Sequence, residues 1–193
     1  MYTLENEIIF EQTINRSHFI CYIYPIDSIK TANEIIKKIR KKHYDATHNC
    51  YAYIIGLNGE ISKNNDDGEP AGTAGAVIHD VLKKNKLTNV LAIVTRYFGG
   101  IKLGTGGLIR AYGSSVAKAL KNINKIKIEK KIDITIEIDY SNYTQIKKNL
   151  ESYLQIDILF TDIVTIKLRI PENNKKELIE SLNNLTGGNI KIT

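Results

Sequence analysis

The residues best suited to chemistry in this chain lie in a short acidic segment directly before an apolar helical pattern. Asp66, Asp67 and Glu69 fall within the segment Asp66-Asp-Gly-Glu-Pro-Ala-Gly-Thr73. Carboxylates this close together can converge on one hard cation or form an acid–base pair, which predicts a metal site or a hydrolase site. The same residues also fit a structural role, because acids at a helix start complement the helix dipole while proline and glycine shape the turn.

A histidine and a cysteine form a second candidate site. His48 and Cys50 are two residues apart in a strand-like run, so their side chains point to the same face of a sheet. A histidine and a cysteine can act as base and nucleophile, or contribute to a zinc site. Two positions on one strand rarely meet nucleophile–base geometry, and the chain has no CxxC or HExxH motif. A polar interior role for His48 therefore remains the alternative.

A glycine-rich segment is the third candidate. Six of the 13 glycines lie between Gly99 and Gly113, and the run from Gly104 to Gly107 leads into a helical stripe. Glycines let backbone N–H groups at a helix N-terminus approach an anion such as phosphate. The Walker pattern is absent, and Ile109 stands where the dinucleotide motif has its third glycine. We expect general anion binding, or else a turn that packs closely against a sheet.

Positive charge accompanies the glycine-rich segment. Residues 1–127 hold 18 basic and 11 acidic side chains, whereas residues 128–193 hold 9 and 10. Four of the five arginines lie in the first part, where a guanidinium group can bind phosphate through two hydrogen bonds. A solvated helix end explains the basic run at 37–42 equally well. The predicted anion-binding residues are Arg96, Lys102, Gly104, Gly106, Gly107 and Arg110, with Lys37, Lys38, Arg40 and Lys41 as auxiliary charge.

Hydrophobic periodicity arranges these candidates in two parts. In the first part, strand patterns at 7–14, 18–26, 49–57 and 90–95 are interspersed with helical stripes near residues 28, 74 and 108. The segment 121–131 is interpreted as a linker or the entry to a strand. The second part follows the order β, α, β, β, α, β, which is typical of a ferredoxin-like domain. The sequence therefore predicts an α+β protein of two domains, 1–127 and 128–193.

Composition excludes several classes of protein. With 42% hydrophobic and 25% charged residues, the chain has the balance of a globular protein. No stretch approaches the roughly 18 apolar residues of a membrane span, and acids occupy the N-terminus where a signal peptide carries bases. Cys21 and Cys50 are too few for a disulfide framework. We expect a cytoplasmic protein with no membrane partner and no cofactor.

Three motifs together resemble the YigZ/IMPACT family. They are Ala46-Thr-His-Asn-Cys-Tyr-Ala-Tyr53, Asp66-Asp-Gly-Glu-Pro-Ala-Gly-Thr73 and Arg96-Tyr-Phe-Gly-Gly-Ile-Lys-Leu-Gly-Thr-Gly-Gly-Leu-Ile-Arg-Ala-Tyr112. Their order makes the match specific, and the resemblance extends over the whole chain. The family's motif positions that the resemblance carries onto this chain are His48, Asn49, Asp66, Asp67, Glu69, Pro70, Gly72, Thr73, Arg96, Tyr97, Gly99, Gly100, Lys102, Gly104, Gly106, Gly107, Arg110 and Tyr112.

The resemblance also implies a fold for each domain. The N-terminal domain would have the ribosomal protein S5 domain 2-like fold, with helices on one face of a sheet. The C-terminal domain would be ferredoxin-like (βαββαβ) and resemble the last domain of elongation factor G. In elongation factor G, such a pair of domains works against the ribosome.

The basic charge and the glycine-rich segment favour a non-enzymatic RNA- or ribosome-associated protein. The resemblance to the family, whose eukaryotic branch regulates translation, suggests a regulator of translation or of a stress response. Its basic N-terminal surface would bind a phosphate-bearing partner. A protein of the translation machinery is a second candidate partner. The alternative is an enzyme: a metal-dependent hydrolase that uses His48 with Asp66, Asp67 and Glu69, or a phosphotransferase that uses the glycine-rich segment with Gly113-Ser-Ser115.

Overall fold

The computed structural model describes residues 1–121 and 123–193, which form two compact units, Met1–Ile128 and Glu129–Thr193. The first unit contains a sheet, three helices and a separate pair of short strands. Its elements are β1 (Tyr2–Leu4), β2 (Ile8–Ile14), β3 (Ser17–Pro25), α1 (Ile29–Lys42), β4 (His48–Ile55), β5 (Ile61–Asn65), α2 (Gly75–Lys84), β6 (Val90–Tyr97), α3 (Gly104–Ala119) and β7 (Lys125–Lys127).

The main sheet of the first unit has five antiparallel strands in the order β2-β3-β6-β4-β5. Strand β6 lies at its centre and is buried over nearly its whole length, as its uninterrupted apolar run predicts. In register, Arg96 of β6 lies opposite Phe19 of β3 on one side and His48 of β4 on the other. Residues far apart in the chain therefore meet at one end of this strand.

Both faces of the sheet are covered by helices. Along β4, Cys50 and Ala52 pack with α2 and α3, whereas Tyr51 and Tyr53 pack with α1 on the opposite face. Side chains alternate between faces along a strand, so a strand that is apolar at every position must be covered twice. The expectation that the helices lie on one face is therefore wrong for α1.

The short strands β1 and β7 pair with each other, so part of the segment interpreted as a linker belongs to the first unit. Tyr2 pairs with Lys127 and Leu4 with Lys125, and Leu4 is buried in the core. Three residues are too few to show a strand period, which is why the sequence does not reveal β1. Residue 122 of the predicted linker lies outside the described residues.

The second unit is ferredoxin-like, as predicted. Its four-stranded antiparallel sheet has the order β11-β8-β10-β9, and two helices cover one face. The alternating isoleucines of β8 place Ile134, Ile136 and Ile138 in the core. The elements are β8 (Lys131–Ile138), α4 (Tyr140–Leu150), β9 (Leu154–Phe160), β10 (Val164–Pro171), a 3₁₀ turn (Glu172–Asn174), α5 (Lys175–Thr186) and β11 (Lys191–Ile192).

No helix in the described parts of the chain combines the length and the apolar character needed to cross a membrane.

Candidate anion-binding site

The three sequence motifs meet around a cavity of about 490 Å³ in the first unit. The wall combines cationic, acidic and apolar side chains with the first turn of α3. It is lined by Thr47, His48, Glu69, Pro70, Arg96, Phe98, Lys102, Leu103, Gly104, Thr105 and Leu108. Each motif therefore supplies residues to one concave surface.

A buried ion pair forms one side of the cavity. Arg96 Nη1 donates to Glu69 Oε1 at 2.6 Å, and both residues are less than a tenth exposed. Tyr112 donates its hydroxyl to the same oxygen at 2.8 Å, and Arg96 Nη2 donates to Ser17 Oγ at 3.3 Å. Glu69 is thereby committed to two buried donors. Arg96, predicted to bind phosphate at the surface, is instead held within the protein by this pair.

Arg96 nevertheless keeps one unused donor. Among the described residues, its buried Nε has no hydrogen-bond partner. The guanidinium carbon lies 5.6 Å from the Phe19 ring centre and 5.5 Å from the Phe98 ring centre, so two aromatic rings help to orient the group. Phe98 is 46% exposed and Phe19 is fully buried. The guanidinium therefore links the core to an aromatic ring at the protein surface.

His48 has a fixed orientation at the cavity wall. Its Nδ1 lies 2.8 Å from the main-chain oxygen of Asp67, and since a carbonyl only accepts, Nδ1 carries the proton and donates. Its Nε2 lies 3.8 Å from Glu69 Oε2, which is too long for a hydrogen bond. The backbone carbonyl thus orients the imidazole edge that meets the cavity.

The carboxylates of Asp66 and Asp67 face away from a common point. Asp66 Oδ1 accepts from the backbone nitrogens of Ala74 at 3.0 Å and Gly75 at 2.8 Å, and so caps the start of α2. Asp67 accepts from the backbone nitrogen of Asn49 at 2.7 Å and from Arg40. Their oxygens satisfy backbone donors, which agrees with the structural role considered for this segment.

The structure does not bring the candidates for the predicted metal or hydrolase site together around one point. Asp66, Asp67 and Glu69 each accept hydrogen bonds from different donors. Among residues 1–121 and 123–193, no group of three or more His, Cys, Asp or Glu side chains is placed to hold a metal ion. Only Glu69 and His48 of the four candidate catalytic residues line the cavity. The four do not form one catalytic group.

The two remaining enzymatic candidates, Cys50 and the Gly113-Ser-Ser115 segment, are held by hydrogen bonds to other parts of the protein. Cys50 donates its thiol to the Asp66 carbonyl oxygen at 2.9 Å, and burial raises the pKa of this thiol far above its ordinary value. Burial and this hydrogen bond both favour the protonated thiol, which is a poor nucleophile. Ser114 and Ser115 lie inside α3, where both hydroxyls accept from Gln12 Nε2 at 3.0 and 2.8 Å. The glycine before them does not form a phosphate loop.

The first turn of α3 forms another part of the cavity wall. The helix begins at Gly104, so residues 104–107, predicted as a loop, are its first turn. Leu103 precedes the helix and no side chain caps it, which leaves the first backbone N–H groups without an intrahelical partner. Gly104 has a φ of 69°, in the left-handed region that favours glycine. The positive end of a 16-residue helix thus opens on the cavity.

The predicted basic residues are distributed over more than one surface. Lys102 is exposed and lines the cavity; Arg110 is exposed on the next turns of α3 but does not line it. Gly106 and Gly107 belong to the first turn, beside the lining residues Gly104 and Thr105. None of the auxiliary residues Lys37, Lys38, Arg40 and Lys41 lines the cavity; all are exposed on α1, where Arg40 pairs with Asp67.

Several residues of the site were missed by sequence reasoning. Thr47 accepts from the Phe98 backbone nitrogen at 2.9 Å and so joins two of the motifs. Thr105 and Leu108 line the cavity because α3 begins four residues before Leu108. Ser17 accepts from Arg96 across the sheet. Thr47, Thr105 and Leu108 lie inside the three motifs, where the polarity of the two threonines could have been noted, whereas Ser17 lies outside them and meets Arg96 only through strand register.

Comparison with known proteins matches both units to families. The Impact N-terminal domain matches residues 15–120, and the Domain of unknown function (DUF1949) matches residues 136–189. The chain is 42% identical over 186 residues to the IMPACT family member YvyE of Bacillus subtilis (strain 168), which covers 95% of this chain and 84% of that protein. It is 35% identical over 138 residues to the IMPACT family member YigZ of Escherichia coli (strain K12), covering 70% and 68%.

A solved structure supports the same two-domain fold. A protein described as "Crystal structure of an hypothetical protein" matches with a TM-score of 0.69 and 28% identity, covering 99% of this chain and 95% of that one. Eukaryotic relatives share only part of the chain: the Protein IMPACT of Rattus norvegicus is 34% identical over 97 residues, which is 48% of this chain and 30% of that protein. The similarity to relatives such as YvyE extends over most of both chains.

Proposed function

The chain belongs to the IMPACT family, and from this premise we propose that it is a non-enzymatic, cytoplasmic RNA- or ribosome-associated protein that regulates translation. The observation that carries the proposal is the uncapped N-terminus of α3, which opens on a cavity beside Lys102. Backbone N–H groups at a helix N-terminus and a lysine side chain together favour a phosphate group. The bound group would be a phosphate of RNA, on the ribosome or free.

Net charge supports an RNA partner. Residues 1–127 have seven more basic than acidic side chains, whereas residues 128–193 have one more acidic than basic. Surface cations such as Lys102, Arg110 and the exposed side of α1 would add salt-dependent, sequence-independent affinity. The arrangement of the acidic segment also supports an RNA partner, because its carboxylates are paired with backbone donors or with arginine. They therefore add little repulsion toward phosphate.

The salt dependence of RNA binding tests the proposal. We expect single-stranded RNA to bind with a logarithmic salt slope whose magnitude decreases by about 0.7 for each phosphate that the protein no longer neutralises. Lys102→Ala/Arg110→Ala should lower both affinity and slope. The matched control is Lys83→Ala/Lys84→Ala, which removes two exposed charges from the far end of α2 and should change affinity less.

Filter binding to ribosomal RNA at graded salt measures both quantities. Affinity for RNA no greater than for an inert polyanion would contradict the proposal. So would equal losses in the Lys102→Ala/Arg110→Ala variant and in the control, since binding would then depend only on total charge.

A further inference from the structure

We propose that the cavity binds one nucleoside monophosphate unit, with the phosphate at the start of α3 and the base on Phe98. This deepens the proposed function by naming the ligand of the same site. It rests on the proposed function only in taking RNA as one source of that nucleotide. A free nucleotide is the other source, and both present the same chemistry.

The phosphate end of the site is formed by α3. Its first turn presents backbone N–H groups that no side chain caps, and Lys102 lines the same cavity. A methyl group built on Gly104 would have no heavy atom within 4 Å, so the space beside this residue is open. The helix dipole and the lysine charge both attract a dianion to this point.

The buried Arg96 gives a second, independent indication of a ligand. Arg96 forms part of the cavity wall, is 5% exposed, and has an Nε for which the described residues offer no acceptor. Its Nη groups are committed to Glu69 and Ser17. A buried N–H without an acceptor is costly, so natural structures almost always supply one. We infer that an oxygen of the bound nucleotide supplies it.

The base end of the site is aromatic and apolar. The Phe98 ring has the Arg96 guanidinium at 5.5 Å and is 46% exposed, which leaves ring surface for a second planar group. Pro70, Leu103 and Leu108 line the same cavity. An exposed aromatic ring beside cationic groups is how proteins bind single bases without reading their identity. Inorganic phosphate would leave this apolar half of the site empty.

The size of the cavity fits the same ligand. Its volume of about 490 Å³ lies in the range of small-molecule sites, roughly 300 to 1,000 Å³. A nucleoside monophosphate has a charged phosphate and a planar apolar base, and the wall of the cavity supplies both cationic and apolar groups. Ribose 5-phosphate and inorganic phosphate lack the base, so comparing their affinities with those of nucleotides separates the contribution of the phosphate from that of the base.

Isothermal titration calorimetry with AMP, UMP, ribose 5-phosphate and inorganic phosphate tests the proposal. We expect both nucleotides to bind more tightly than ribose 5-phosphate. Phe98→Ala should weaken nucleotide binding about tenfold and leave ribose 5-phosphate unchanged, because only the base stacks. Lys102→Ala should weaken the binding of all phosphate-bearing ligands. Phe98→Tyr keeps the ring and should retain nucleotide affinity.

Tyr44→Ala is the matched control, since Tyr44 is an 86% exposed aromatic of the same unit that does not line the cavity. Circular dichroism of each variant confirms folding before titration. Failure of the native protein to bind nucleotides would overturn the proposal. Equal effects of Phe98→Ala and Tyr44→Ala would also overturn it.

The outcome also separates this inference from the proposed function. If RNA binds in a Lys102-dependent manner but nucleotides do not, the nucleotide site is wrong and the RNA-binding function stands. If nucleotides bind and RNA does not, the nucleotide site stands and the RNA-binding function is wrong. Competition by a 5′-phosphorylated oligoribonucleotide identifies a terminal nucleotide of RNA as the source; no competition identifies the free nucleotide.

Discussion

At the scale of single residues, Glu69 accepts hydrogen bonds from two side chains that lie far from it in the chain. Arg96 and Tyr112 both donate to its Oε1, and all three side chains are buried. A buried charge is tolerated only when it is paired and hydrogen-bonded. The pair positions Arg96, and with it the stacked Phe98 ring, in the cavity wall.

Removing Glu69 should therefore be strongly destabilising. Glu69→Ala leaves the Arg96 guanidinium buried without its counter-charge, and we expect a loss of about 3–5 kcal/mol in the free energy of unfolding. Urea unfolding followed by circular dichroism measures it. Arg96→Met/Glu69→Leu removes both charges and should cost less than Glu69→Ala alone.

The exposed pair of Arg169 and Asp133 provides the control for this prediction. Its two hydrogen bonds, at 2.7 and 2.9 Å, have good geometry but lie at the surface. Asp133→Ala should shift the urea midpoint only slightly, since water screens exposed pairs. A Glu69→Ala variant as stable as Asp133→Ala would show that the buried pair does not hold the site together.

At the scale of elements, α3 combines poor local helix propensity with a favourable position. Three of its first four residues are glycine, which disfavours a helix. Tertiary packing compensates, because Leu108, Tyr112 and Val116 bury one side of the helix against the sheet. The glycines leave the backbone N–H groups of the first turn accessible.

Gly106→Ala tests this compromise between stability and binding. Alanine is a better helix former than glycine, and a Cβ at position 106 would meet only the flexible end of Arg110 at 3.5 Å. We expect the free energy of unfolding to rise by about 0.5–1 kcal/mol. Nucleotide affinity should fall, since the added methyl group stands beside the N–H groups of the first turn. Denaturation and calorimetry measure the two effects.

Gly99→Ala is the contrasting substitution in the same motif. Its Cβ would lie 2.0 Å from the backbone carbonyl carbon of Arg16, which cannot move without displacing the hairpin between β2 and β3. This variant should lose stability.

If Gly106→Ala leaves nucleotide affinity unchanged, the first turn of α3 is not the phosphate-binding surface.

At the scale of the whole molecule, charge and cavity both belong to the first unit. Every residue that lines the candidate site lies within Met1–Ile128. The main chain of Ile128 still donates to the carbonyl of Met1 at 3.0 Å, so the ends of this unit are joined. The division predicted from the sequence, between residues 127 and 128, differs by one residue from the end of this unit, and we propose that Met1–Ile128 and Glu129–Thr193 are independent folding domains with separate roles.

Separate expression of residues 1–128 and 129–193 tests this division. We expect each fragment to unfold cooperatively, since each has its own buried cluster. The first fragment should retain the salt-dependent RNA binding of the whole chain, and the second should not. Circular dichroism and filter binding measure these properties. An unfolded first fragment, or RNA binding confined to the second, would contradict the division.

Much of the fold could be predicted from the sequence because its elements have clear periods. The isoleucines of β8 alternate, and the βαββαβ order of the second unit follows from such patterns. The family could be predicted as well, since its three motifs are contiguous in the chain. The three-residue strand β1 and the first turn of α3 were missed, because one is too short for a period and the other is rich in glycine.

The candidate site was only partly predictable, for a different physical reason. The motifs identify His48, Glu69, Arg96 and Lys102 as candidates, and local chemistry limits what each can do. Their partners depend on long-range geometry: Arg96 meets His48 through the register of β4 and β6, and it meets Glu69 because the acidic segment folds back over the strand ends. Side chains 27 residues apart become an ion pair only when sheet register and helix packing bring them together. Residue types and periods are local properties of the chain, whereas burial, pairing and the cavity arise from the folded structure.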